Sequence, residues 1–258
     1  MTQPSNLTQL KKHLNVNSLL TNERANPKVA KSEKLGILTG VLHLAPADLS
    51  GYEVCPMRSA GCTAACLHTA GNPAYLANKN EARIKRTKAF FEHREAFMNL
   101  LVLEMAKHIE SAAKQKMEPA FRLNGTSDIV WEKTKFNLWP WVGERVNLSS
   151  QNSTVLDLFS DIQVYDYTKR YNRKNLPDNY HLTFSLNEEN QKHALAMLEA
   201  GTNVAVVFQG KLPSKYLGYE VIDGDIHDYR PQDPSPVIVG LKAKGKARSD
   251  DSGFTILL

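Results

Sequence analysis

No run of about eighteen or more apolar residues occurs in this 258-residue chain, so the sequence offers no membrane-spanning helix. The N-terminus, MTQPSNLTQLKKHLNVNSLL, lacks the basic–apolar–small order of a signal peptide, which leads us to expect a cytoplasmic protein. Neither G-x-x-x-x-G-K-S/T nor G-x-G-x-x-G is present, so nucleotide cradling by those loops has no support. The serine-hydrolase elbow G-x-S-x-G and the zinc-protease pair H-E-x-x-H are also missing. No internal repeat of solenoid length is visible. Cysteine is scarce: there are three residues, and none lies outside Cys55–Cys66.

That scarcity is the most informative feature. Scattered cysteines suggest core packing, and an even set in a short secreted chain suggests disulfides. A tight trio in a reducing compartment suggests soft-metal ligation. The stretch CPMRSAGCTAAC spaces Cys55, Cys62 and Cys66 as C-x6-C-x3-C. This matches neither the bacterial ferredoxin run nor the paired C-x2-C of a zinc ribbon. Pro56 and Gly61 fit a loop that wraps closely around something, and Thr63, Ala64 and Ala65 leave room beside the thiols. Three thiolates leave one position open on a metal that prefers four ligands. The readings are a 4Fe-4S cluster, a zinc site completed by His68 or His43, or three plain loop thiols of which Cys62 and Cys66 pair on oxidation.

With 42% apolar residues the chain can bury one sizeable core, and its negative mean hydropathy and 23% charged residues fit a soluble protein. The net charge of +5 and pI of about 9.0 permit an anionic partner, either nucleic acid or a phosphorylated ligand. Basic residues cluster at 79–88, 169–174 and 242–248, and the last two clusters follow predicted strands.

Residues 1–35 are polar and read as a flexible N-terminal arm with a helical turn or two. The spacing of Ile84, Phe91, Met98, Leu101, Val102, Met105, Ile109 and Ala112 predicts one long helix over 76–117, ended by Pro119. WEKTKFN reads as the opening of another helix, and 190–201 as a further one closed by Gly201. About seven apolar runs read as strands, each followed at once by polar residues. Strands alternating with helices imply a parallel sheet. The order over 36–248 fits an α/β domain, 36–258, built as a complete or partial β/α barrel; an open doubly wound sheet is the second choice. In both, ligands bind at the carboxyl ends of the strands. There stand Asn124, Thr126, Ser127 and Asp128, then Lys169 and Arg170, then Gln209, then Asp223 and Asp225. Bland readings compete. Asp128 would cap a helix near Trp131, Asp223-Gly224-Asp225 would form a turn, Arg122 would pair with Asp166, and Trp139-Pro140-Trp141 would be local packing rather than a lid or base-stacking platform.

The segment LHLAPADLSGYEVCPMRSAGCTAACLHTAGN resembles a phage family called gene product 88, and RLNGTSD, YDYTK and VIVGLKAKGKA are similar to that family's later blocks in the same order. The family is named for a gene position and implies no chemistry. A more distant similarity, a cysteine loop after the first strand of a β/α series, is to the radical SAM enzymes. Their usual spacing is C-x3-C-x2-C, from which this chain departs. That resemblance implies a TIM-like barrel and a 4Fe-4S cluster held by Cys55, Cys62 and Cys66, with the fourth iron open to S-adenosylmethionine. It makes Asn124, Ser127 and Asp128 suited to the amino group or ribose of that cofactor, Gln209 to ribose or substrate, and Lys169 to a carboxylate or phosphate. The substrate is unspecified. The competing reading is a phage protein stabilised by zinc or a cluster that binds nucleic acid without catalysis.

Overall fold

Every apolar run followed by a polar cluster becomes a strand. In the computed structural model, which describes residues 3–21, 31–66 and 73–258, α1 (Leu7–Leu14) and β1 (Leu20–Thr21) precede β2 (Ile37–Leu42). Next come α2 (Ala60–Ala64), α3 (Pro73–Glu92), α4 (Arg94–Lys114) and β3 (Glu118–Arg122). Then α5 (Pro140–Val146) and α6 (Val155–Leu158) lead to β4 (Gln163–Thr168), β5 (Tyr180–Ser185), α7 (Gln191–Glu199) and β6 (Val204–Gln209). The short β7 (Lys215–Tyr216), β8 (Tyr219–Asp223), β9 (Ile238–Lys242) and β10 (Ile256–Leu257) complete the chain.

Among the described residues the strands form one ten-stranded sheet in the order β1-β2-β3-β4-β5-β6-β9-β8-β7, with β10 added beside β6. From β2 through β8 every pairing on this path is parallel. The outermost strands, β1 and β7, run antiparallel to β2 and β8. No pairing among the described residues joins the two ends, so the sheet is open. The complete barrel expected from the sequence is therefore corrected. At the positions where closure would need free backbone groups, β1 covers Val41 and Leu42, and β7 covers Tyr219 and Glu220.

Strand alternation divides the two faces. On one face Leu42, Phe121, Leu123 and Val164 pack with Phe90, Phe97, Leu101 and Met105 of α3 and α4, while Phe184, Val206, Phe208 and Ile238 pack with Ala194 and Leu198 of α7. The other face carries Thr39, Arg122, Tyr165, Tyr167, His181 and Thr183, and the connection from β8 to β9 lies against it. From that connection Asp228 reaches Arg122 at 2.8 Å, and the Tyr229 ring meets Tyr165 edge-on at 5.4 Å.

Three local expectations change. The helix predicted over 76–117 is two helices, because His93 leaves helical geometry (φ −136°, ψ 50°). WEKTKFN makes one short 3-10 turn, Trp131–Lys133, with Trp131 fully buried. In the region expected to be a flexible arm, the described residues are docked. Asn6 caps α1 by accepting from the Gln9 N–H, Leu10, Leu14 and Leu19 are buried in the core, and β1 pairs with β2.

Candidate cysteine-loop site

The connection that leaves β2 lies across the carboxyl ends of its neighbours. Its first part is tied to the loop after β3: the Asp128 N–H donates to the Val54 carbonyl at 2.8 Å, the Thr126 hydroxyl donates to the Leu44 carbonyl at 2.6 Å, and the Cys55 thiol lies 3.8 Å from the Thr126 carbonyl. Gly125 allows this approach, since a Cβ there would stand 2.8 Å from the Leu42 carbonyl and from His43. Its second part is tied to the end of β5. Glu188 accepts from the Ser59 hydroxyl and from the Gly61 N–H, both at 2.7 Å, at the start of α2. Gly61 is also required: a Cβ would meet Ser252, and would lie 2.6 Å from Glu188 Oε1 and 2.9 Å from Phe254. The loop thus bridges the mouth of the sheet from β3 to β5, against the C-terminal segment.

Cys55, Cys62 and Cys66 are all half-buried and free of disulfides. Burial pushes the Cys55 thiol up to about 12, and the neighbouring Cys66, Asp128 and Cys62 push the same way against a backbone hydrogen bond at Ala47. Cys62 and Cys66 therefore lie close enough for their charge to be felt at the Cys55 sulfur. Charges of both signs surround the loop: Glu53, Asp128 and Glu188 carboxylates lie against it, burial pulls the Arg83 guanidinium down while Cys66 supports its charge, and burial with Arg83, Arg122 and Arg86 drives His43 down to about 3. The His43 imidazole is neutral at ordinary pH. As placed, no group of three or more His, Cys, Asp or Glu side chains among the described residues could hold a metal ion. His68 lies outside the described residues.

Of the predicted binding residues, Asn124, Ser127, Asp128 and Lys169 come together beneath the loop, and each has protein partners. Strands β3 and β4 stop pairing after Phe121 and Val164. The Asp166 carboxylate then takes the Asn124 N–H at 2.6 Å in place of a ladder bond, and it also accepts from the Tyr180 hydroxyl at 2.8 Å. The Asn124 side chain accepts from Ser127 at 2.8 Å and from the Ile129 N–H at 2.9 Å, and donates to the Ile129 carbonyl at 3.0 Å. Asp128 caps no helix. It accepts from the Thr168 hydroxyl at 2.7 Å and from the Lys169 N–H at 2.9 Å, fixing the end of β4. Lys169 Nζ donates to Ser185 at 2.7 Å. Gln209 stands apart, donating to the Asp250 carbonyl and the Thr255 hydroxyl, both at 2.6 Å.

Other expectations resolve into structure. Arg122 ion-pairs with Asp228, 106 residues away, rather than with Asp166. Trp139-Pro140-Trp141 opens α5 and packs on the core. Of the 242–248 cluster, Lys242 and Lys244 face Asp223 and Asp225 at 3.7 and 2.8 Å. Sequence reasoning missed Glu188 as the clamp on α2. The only signal for Glu188 was its position just after a predicted strand.

No described helix is long and apolar enough to cross a membrane. The chain matches the family model described as Gene product 88 over residues 12–256. No curated protein and no solved structure matches, so the similarity to radical SAM enzymes gains no support from known proteins. The matched span covers nearly the whole chain, and the protein belongs to the gene product 88 family.

Proposed function

We propose that this member of the phage gene product 88 family binds a 4Fe-4S cluster through Cys55, Cys62 and Cys66 at the mouth of a partial β/α barrel. The observation that carries the reading is the placement of the chain's only three cysteines. They sit on one loop, across the strand ends where α/β sheets bind ligands, with Cys62 and Cys66 close enough to bear on the Cys55 thiol. A thiol raised as Cys55 is keeps its proton at neutral pH, so metal binding must displace that proton and draw the sulfurs together. Asn124 and Asp128 are committed to protein partners, so the reading extends no further than cluster binding.

The test is anaerobic purification followed by iron and sulfide analysis and absorption spectra before and after dithionite. A brown protein with about four irons and four sulfides is expected. Cys55→Ala, Cys62→Ala and Cys66→Ala should each lose most of both. A colourless protein with about one zinc, or full iron retention by all three variants, would end the reading. A reduced EPR signal that shifts when S-adenosylmethionine is added would extend it toward radical chemistry.

A further inference from the structure

Beside the cysteine loop, bounded by Pro56 on one side and by the Asp128–Lys135 segment on the other, runs an open groove of about 420 Å³. Arg94, Lys133, Lys135 and Arg170 line it, together with Phe91. Its two carboxylates are engaged within the protein. Glu53 accepts from the Cys55 N–H at 2.6 Å and pairs with Arg58 at 2.9 Å, and Asp128 holds the end of β4. The four cations have no carboxylate within ion-pair distance among the described residues. Arg94 is instead pinned over the Phe90 ring at 3.8 Å with its Nε on the Phe90 carbonyl, and Arg170 Nε reaches only the Asp128 carbonyl at 3.4 Å. At the lip, Phe91 and Tyr52 stack face to face, 4.6 Å between ring centroids and 3° from parallel.

We propose that this groove is a docking site for single-stranded nucleic acid. Uncompensated cations in a groove attract a polyphosphate backbone, and an aromatic lip offers a face on which a base stacks. A single strand, whose unpaired bases are free to stack on an aromatic face, uses this lip, whereas the bases of a duplex are already stacked on one another. This contrasts with Lys242 and Lys244, whose charges face Asp223 and Asp225. The proposal does not depend on metal at the cysteines.

The test is fluorescence anisotropy with a labelled oligothymidylate of about twelve nucleotides and a duplex of equal length, at several salt concentrations. Lys133→Gln/Lys135→Gln removes two exposed lysines, with Lys242→Gln/Lys244→Gln as the control. For single strands each phosphate contact contributes about 0.7 to the slope of log affinity against log salt, so losing two should flatten it by about 1.4. The same relation gives an affinity loss of about 60-fold at about 50 mM salt, shrinking to about 10-fold at about 200 mM. The control should bind as the parent does. Three results would overturn the proposal: no single-strand binding at low salt, equal loss in both double variants, or duplex binding as tight as single-strand binding.

Discussion

Removing the Glu188 carboxylate tests whether the end of β5 holds the cysteine loop in place. Glu188 accepts two short hydrogen bonds, one from the Ser59 hydroxyl and one from the Gly61 N–H, and both partners lie within the first turn of α2 or its cap. Hydrogen bonds to a charged acceptor contribute roughly 1.5–3 kcal/mol each, and a carboxylate at a helix start adds a few tenths more. Solvent reaches part of this site, so the low end applies: about 3 kcal/mol in total for Glu188→Ala. Glu188→Gln keeps a carbonyl for Gly61 N–H, and its amide can donate to Ser59 Oγ. It loses chiefly the charge, about 1–2 kcal/mol. These are local energies, since α2 is a five-residue helix on a connection and not part of the main core. The assay is therefore hydrogen exchange resolved to residues 59–66, with urea unfolding in parallel. Each 1.4 kcal/mol is tenfold in the opening equilibrium, so the expected acceleration is about 100-fold for the alanine variant and about tenfold for glutamine. The unfolding midpoint should move little. Unchanged exchange at 59–66 in Glu188→Ala, or acceleration spread evenly over the strands, would refute the assignment of Glu188 as the clamp.

Two further predictions concern buried charge. Burial pushes Asp166 up to about 7, against the hydrogen bonds from the Asn124 N–H and Tyr180 that favour ionisation. The unfolded chain releases this proton near pH ~4, so the folded state holds more protons between about 4 and 7, and stability falls as pH rises through that window. Asp166→Asn should flatten the curve there, gaining on the parent by at most about 4 kcal/mol from pH ~4 to ~8 in urea titrations; parallel curves for the two proteins would contradict this. Arg122→Met leaves Asp228, 1% exposed, without the guanidinium at 2.8 Å, which should cost about 3 kcal/mol in urea unfolding, with partial recovery on adding Asp228→Asn. A loss below about 0.5 kcal/mol would show that the pair is not structural.

The sequence by itself determined the strands and the place of the three cysteines on one loop after the first parallel strand. Runs such as VIVGL and NVAVVF are continuous because a parallel strand is covered on both faces, and a polar cluster after each run marks the carboxyl edge. The α/β class and parallel direction follow from alternation, and the cysteine trio follows from composition. The helical content of 76–117 is legible in its apolar spacing, although the break at His93 depends on one residue's backbone angles and leaves no periodic trace. Tertiary structure decided the rest. Whether the sheet closes depends on its edges, and two-residue strands such as Leu20–Thr21 and Lys215–Tyr216 are too short to show a period. The docking of Leu10, Leu14 and Leu19 makes part of an apparently polar arm into core. The partners of charged residues were beyond reach for a related reason. Arg122 with Asp228 spans 106 residues, and Glu188 with Gly61 spans 127. Such pairs form because strand order brings distant loops to one edge, and a side chain's own sequence neighbours carry no record of that order.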